Sequence, residues 1–122
     1  MDSYQCQARL IKALAHPTRL YILDILSRGE ACVCHLTTIL KQRQPYVSQH
    51  LMVLREASLV RDRKEGVIVY YRLADGRTAE VIGLTRELMR ASGMEVDFPL
   101  IPTAPVEGCP CPECEDKVSR AE

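Results

Sequence analysis

A change of period at residues 59–73 constrains this chain more than any other feature. Before it, apolar side chains recur every three or four residues; within it, they turn β-branched and aromatic; after it, the helical spacing returns. The runs Leu59-Val60-Arg61-Asp62-Arg63 and Val67-Ile68-Val69-Tyr70-Tyr71-Arg72-Leu73 are joined by Lys64-Glu65-Gly66, which reads as a hairpin with Gly in its turn. A lone hairpin set between helices makes the fold mainly α.

Residues 4–15, with Leu10, Ile11 and Leu14 at helical spacing, predict a first helix. Pro17 suits the first turn of a second, since a missing N–H costs nothing there, and Gly29 suits its left-handed stop. A third helix is expected from about Ala31 to Lys41, burying Val33, Leu36, Ile39 and Leu40. A fourth is expected from about Pro45 to Ala57, burying Val47, Leu51 and Leu54 at i, i+4 and i+7. After the hairpin, Val81, Ile82, Leu84, Leu88 and Met89 predict a fifth over 77–91. Without Trp and with one Phe, the core must be Leu, Ile, Val and Ala, which suits packed helices. This order is that of a winged helix-turn-helix, one domain over 1–92. Five prolines at 99–112 then predict a flexible, Pro/Cys-rich, acidic tail over 93–122, extended or disordered.

The formal net charge is zero, but the charge is segregated. Residues 41–73 hold seven Lys/Arg against three Asp/Glu, net +4, and residues 93–122 hold two against seven, net −5. Screening over about 10 Å makes local charge what a polyanion meets, so nucleic acid remains a fitting partner. No apolar run approaches a bilayer span and the first residues lack a signal peptide's pattern, so a cytoplasmic protein without membrane contact is expected. In that reducing compartment six cysteines read as metal-binding or redox-active. No catalytic triad, paired carboxylates or phosphate loop stands out, which argues against an enzyme.

The phrases "LAHPTRLYILDIL" at 14–26, "ACVCHL" at 31–36, "RQPYVSQHLMVLREASLV" at 43–60 and "RDRKEGVIVYYRL" at 61–73 resemble the ArsR/SmtB family of metal-responsive bacterial repressors. That resemblance, over roughly residues 8–90, implies a homodimer paired through its first and last helices. It also implies binding to a palindromic operator and release when metal binds.

A recognition helix contacts bases through its N-terminal residues, which makes Gln44, Tyr46, Ser48, Gln49 and His50 the candidates for the major groove. Arg61, Arg63 and Lys64 flank the hairpin tip and are expected to meet phosphate or minor groove. Among the cysteines, Cys32 and Cys34 stand at the expected start of the third helix. Side chains at i and i+2 there diverge by about 200°, so a shared ion should distort that turn.

Family arsenic sensors carry Cys-Val-Cys-x-x-Cys, whereas Thr37 stands at the third position here. The resemblance to cadmium- and lead-sensing members makes Cys6 the first candidate for a third ligand, from either subunit. Cys109, Cys111 and Cys114 are the second. His35 is either a further ligand or a polar residue of the exposed face. The family's Asp/His zinc site on the last helix looks absent, because residues 75–92 hold no His. Thiolates favour soft ions, so As(III), Cd(II), Pb(II) or Zn(II) is the expected inducer, with no organic cofactor. The alternative is a thiol-based redox or sulfide sensor of the same fold, with a disulfide from Cys32 or Cys34 to Cys6 or the tail.

Overall fold

The computed structural model describes residues 1–102. The helices are α1 (Ser3–Leu14), α2 (Pro17–Leu26), α3 (Val33–Leu40), α4 (Gln44–Glu56) and α5 (Arg77–Ala91), and the strands are β1 (Ala31–Cys32), β2 (Val60–Glu65) and β3 (Ile68–Leu73). This is a winged helix-turn-helix. Among the described residues no helix is long and apolar enough to cross a membrane.

Local chemistry explains the boundaries. Asp2 and Gln5 form a reciprocal capping box on α1, through Gln5 N–H to Asp2 Oδ1 at 2.8 Å and Asp2 N–H to Gln5 Oε1 at 2.9 Å. His16 caps α2 by accepting the Thr18 N–H on Nδ1 at 3.1 Å, with Pro17 opening the helix as its fixed φ favours. Lys41 stops α3 in the left-handed conformation, φ 54°. The wing turns at Gly66, whose φ of 63° a β-branched residue would resist.

The largest fully buried side chains are Ile22, Leu23, Leu36, Leu51, Leu54, Val47 and Val60, drawn from α2, α3, α4 and β2. Val47, Leu51 and Leu54 are the i, i+4, i+7 stripe expected of α4, and burying each contributes about 1.5–3 kcal/mol. Two departures from expectation matter. The third helix does not begin at Ala31: Ala31 and Cys32 form a two-residue strand pairing with Tyr71 and Tyr70, so the hairpin is part of a three-stranded antiparallel sheet in the order β1-β3-β2. Two residues are too few to show a period, and tertiary pairing decides their state. Beyond α5, residues 94–102 have no regular secondary structure, yet they return to the body. Arg86 lies 3.7 Å over the Phe98 ring, and Ile101 packs against the core.

Candidate nucleic-acid interface and thiol site

The buried stripe of α4 turns its other side outward. Gln44, Tyr46 and Gln49 are exposed and Ser48 is half-buried, so the start of the helix presents amide and hydroxyl groups outward. Tyr46 is braced, its hydroxyl 2.9 Å from Thr18 Oγ1.

His50, expected beside them, is half-buried and packed toward α2. Its ring lies 4.3 Å from that of His16 and 4.7 Å from that of Tyr46, and its Nδ1 is 3.2 Å from an Arg19 Nη1. Burial lowers its pKa below the ordinary 6.5, and the nearby charges of His16 and Arg19 lower it further. A neutral ring can accept from Arg19, which also donates to the carbonyls of Ala13 at 2.6 Å and Lys12 at 3.1 Å. Arg19 thus ties the end of α1 to α4. Charge counting passed over it; its place in the His-Pro-Thr-Arg phrase was the available signal.

On the wing, Arg61 and Lys64 are exposed, and neither forms an ion pair among the described residues. Arg61 faces the equally exposed Arg72 across the strands. Directly opposed like charges are unfavourable unless an anion lies between them, which adds Arg72 to the candidates for phosphate. Arg63 is different. Its Nε donates to both Glu30 carboxylate oxygens at 3.1 Å, one Nη to Glu30 at 2.6 Å and the other to Glu65 at 2.7 Å. The guanidinium also lies 4.4 Å over the Tyr70 ring. These bonds hold the Glu30 carboxyl below the usual carboxylate range.

Cys32 and Cys34 straddle the step from β1 to α3. Cys32 is the extended N-cap residue, 2 % exposed, and its Sγ accepts the His35 N–H at 3.3 Å; Cys34 is exposed. The expected geometry of two thiols on one regular helical turn is therefore replaced by a cap and a first-turn residue. His35 is buried, not on the exposed face. Thr37, where a third thiol would stand, bonds back to the Cys34 carbonyl at 2.9 Å.

A cleft of about 310 Å³ is lined by both cysteines, by Gln44 of α4 and by wing residues 67–69. Cys6 is exposed on α1 and lines a separate groove beside Arg9, Lys12 and Val53. Within one chain the structure does not bring it to the pair, and among the described residues no three metal-ligating side chains converge. Cys109, Cys111 and Cys114 lie outside the described residues.

The family described as bacterial regulatory protein, arsR family, matches residues 16–62. The chain is 43 % identical over 89 residues to an uncharacterised HTH-type transcriptional regulator of Methanocaldococcus jannaschii, a match covering 72 % of this chain and all of that one. It is 51 % identical over 73 residues to the arsenical resistance operon repressor of Escherichia coli K12, covering 59 % of this chain and 62 % of that protein, just over three fifths of its length. Among solved structures, the homodimeric winged helix-turn-helix DNA-binding domain of a possible ArsR-family regulator from Mycobacterium bovis superposes with a TM-score of 0.66. That match is 31 % identical and covers 78 % of this chain and 90 % of the other.

Proposed function

Since the chain belongs to the ArsR family, transcriptional regulators and not enzymes, we propose that it is a homodimeric repressor that leaves a palindromic operator when a soft metal or metalloid binds its cysteine thiolates. Residues 1–92 are the DNA-binding and dimerisation unit in this reading, and residues 93–122 a thiol-bearing tail. Gln44, Tyr46, Ser48 and Gln49 read bases, while Arg61, Lys64 and Arg72 meet phosphate. His50 braces α4 against α2.

The observation that carries the reading is the shared cleft: Cys32 and Cys34 line the same space as Gln44 and the wing tip. An ion held by those thiols would lie in the space between the start of α4 and the wing tip. Thiolate coordination would also compete with the cap, because the Cys32 Sγ that now accepts the His35 N–H would be engaged elsewhere. A difference in affinity between the capped and uncapped forms of α3 is what lets an ion shift DNA binding. Soft thiolate chemistry fits As(III), Cd(II), Pb(II) or Zn(II). The pair needs further donors, for which Cys6 of a second subunit and the thiols Cys109, Cys111 and Cys114 are the candidates. The arsenical resistance operon repressor among its relatives is consistent with this set.

The test is titration of the reduced full-length protein with As(III) and Cd(II), following sulfur-to-metal absorption and release from a duplex enriched by the protein from a random-sequence library. A charge-transfer band together with release is expected, both lost in Cys34→Ser. No band, with release instead on peroxide or polysulfide, would transfer the reading to a redox or sulfide sensor on the same fold.

A further inference from the structure

Arg63 lies across all three strands. It is carried by β2, faces Tyr70 of β3 in the strand register, and bonds through Nε and Nη2 to Glu30, the residue leading into β1. Tyr70 in turn faces Cys32 on the other edge of β3. β1 joins the sheet through only two residue pairs, Ala31 with Tyr71 and Cys32 with Tyr70. So short a strand needs support, and the planar fork of Arg63 on a carboxylate, with its face on an aromatic ring, supplies a directional attachment that a lysine would not.

We propose that Arg63 and Glu30 form a clamp that fixes the wing against the strand leading into α3, making Arg63 a positioning residue for DNA binding and not a phosphate contact. The inference rests on the DNA-binding reading above and deepens it. A phosphate approaching Arg63 meets a guanidinium already surrounded by Glu30 and Glu65, and would have to displace a two-pronged carboxylate. Arg61 and Arg72, two residues away along the strands, form no ion pair among the described residues, although the charge of Arg72 also acts on Glu30. The clamp also joins the wing to the segment that carries Cys32, so a change at the α3 cap reaches the wing through Glu30 and Tyr70.

The two roles of Arg63 predict opposite results for Glu30→Gln. A clamp predicts that Glu30→Gln and Arg63→Lys each weaken binding to the enriched duplex by about three- to tenfold, with an unchanged dependence on salt concentration. A phosphate contact predicts that Glu30→Gln liberates Arg63, tightening binding and steepening the log–log salt slope by about one, while Arg63→Lys binds nearly as wild type; that outcome overturns the clamp.

Amide hydrogen exchange on the DNA-free full-length variants supplies the second measurement. Exchange should accelerate over residues 60–73 and 31–33 while α4 keeps its protection. Unchanged wing protection, or acceleration spread equally into α4, overturns the positioning role whatever the DNA does. A wild-type protein that enriches no duplex counts against the DNA-binding reading, and the exchange result still decides the clamp.

Discussion

Helices α4 and α5 spend similar apolar side chains in opposite ways. On α4, Val47, Leu51 and Leu54 are completely buried, whereas on α5 only Ile82 and Thr78 are buried and Val81, Leu84 and Leu88 stand 48, 58 and 71 % exposed. Helix α1 resembles α5, with Leu10 and Ile11 outward and Ala13 alone buried. A single chain therefore completes the unit of α2–α4 and the sheet but leaves its outer helices with uncovered apolar faces. Exposed apolar helix faces of this kind fit a subunit interface. In the proposed reading the DNA-contacting unit draws its stability from within the chain, and the arrangement of two such units on a palindrome would depend on what covers α1 and α5.

The sharpest way to break that contrast is to cut into the finished half. Leu51→Ala removes a fully buried side chain from the α4 stripe and should cost about 2–5 kcal/mol of unfolding free energy in urea denaturation. A loss below about 1 kcal/mol would mean that the α2–α4 core is not the stable part of the molecule.

The unfinished half should respond differently. Leu84→Glu with Leu88→Glu places charge on exposed positions, so the fold of each chain should keep its stability within about 0.5 kcal/mol per site. Sedimentation should show a shift from dimer to monomer, and affinity for the enriched duplex should fall by more than about tenfold because two half-sites are no longer held together. A variant that stays dimeric would move the interface off α5.

Cys32 ranks next, because it belongs to the finished half and yet carries the proposed signal. Serine is a better cap than cysteine, so Cys32→Ser should retain folding and duplex binding while losing release by As(III) or Cd(II). Cys32→Ala should lose the cap as well, lowering stability by about 0.5–2 kcal/mol in thermal or urea unfolding. A Cys32→Ala variant as stable as the wild type would show that the sulfur does not cap α3.

These residues also show what was legible in the sequence. The helices with proline starts and wide apolar stripes, α2 and α4, stand out because local chemistry and packing agree there. The wing stands out because its period differs. Strand β1 does not, because two residues between a glycine turn and a helix carry no periodicity and owe their state to Tyr70 and Tyr71, almost forty residues onward. Charge and position beside the hairpin tip group Arg63 with Arg61 and Lys64, since nothing local reveals a carboxylate 33 residues earlier in the chain. The same limit puts His50 on the polar face of α4: helical spacing says which residues share a face, not that α2 covers its edge. The Cys-x-Cys spacing identified two thiols near a helix start, while the division into a buried cap and an exposed first-turn residue needed the sheet.

The smallest expected effect lies at the joint between the two halves, where Arg19 holds the α1 carbonyls and meets His50 of α4. The His50 pKa is lowered in the fold, so the unfolded chain takes up the proton first as pH falls. The contribution of the neutral ring is thus complete above the unfolded value near 6.5 and is lost as pH falls to and through the lowered folded value. The ring is only half-buried, so solvent screens much of the effect. His50→Gln keeps a side chain able to accept from Arg19 but cannot titrate. Between about pH 7.5 and about pH 5.5 its melting temperature should therefore decline less steeply than that of the wild type. Parallel declines would show that acid does not act on the joint through His50.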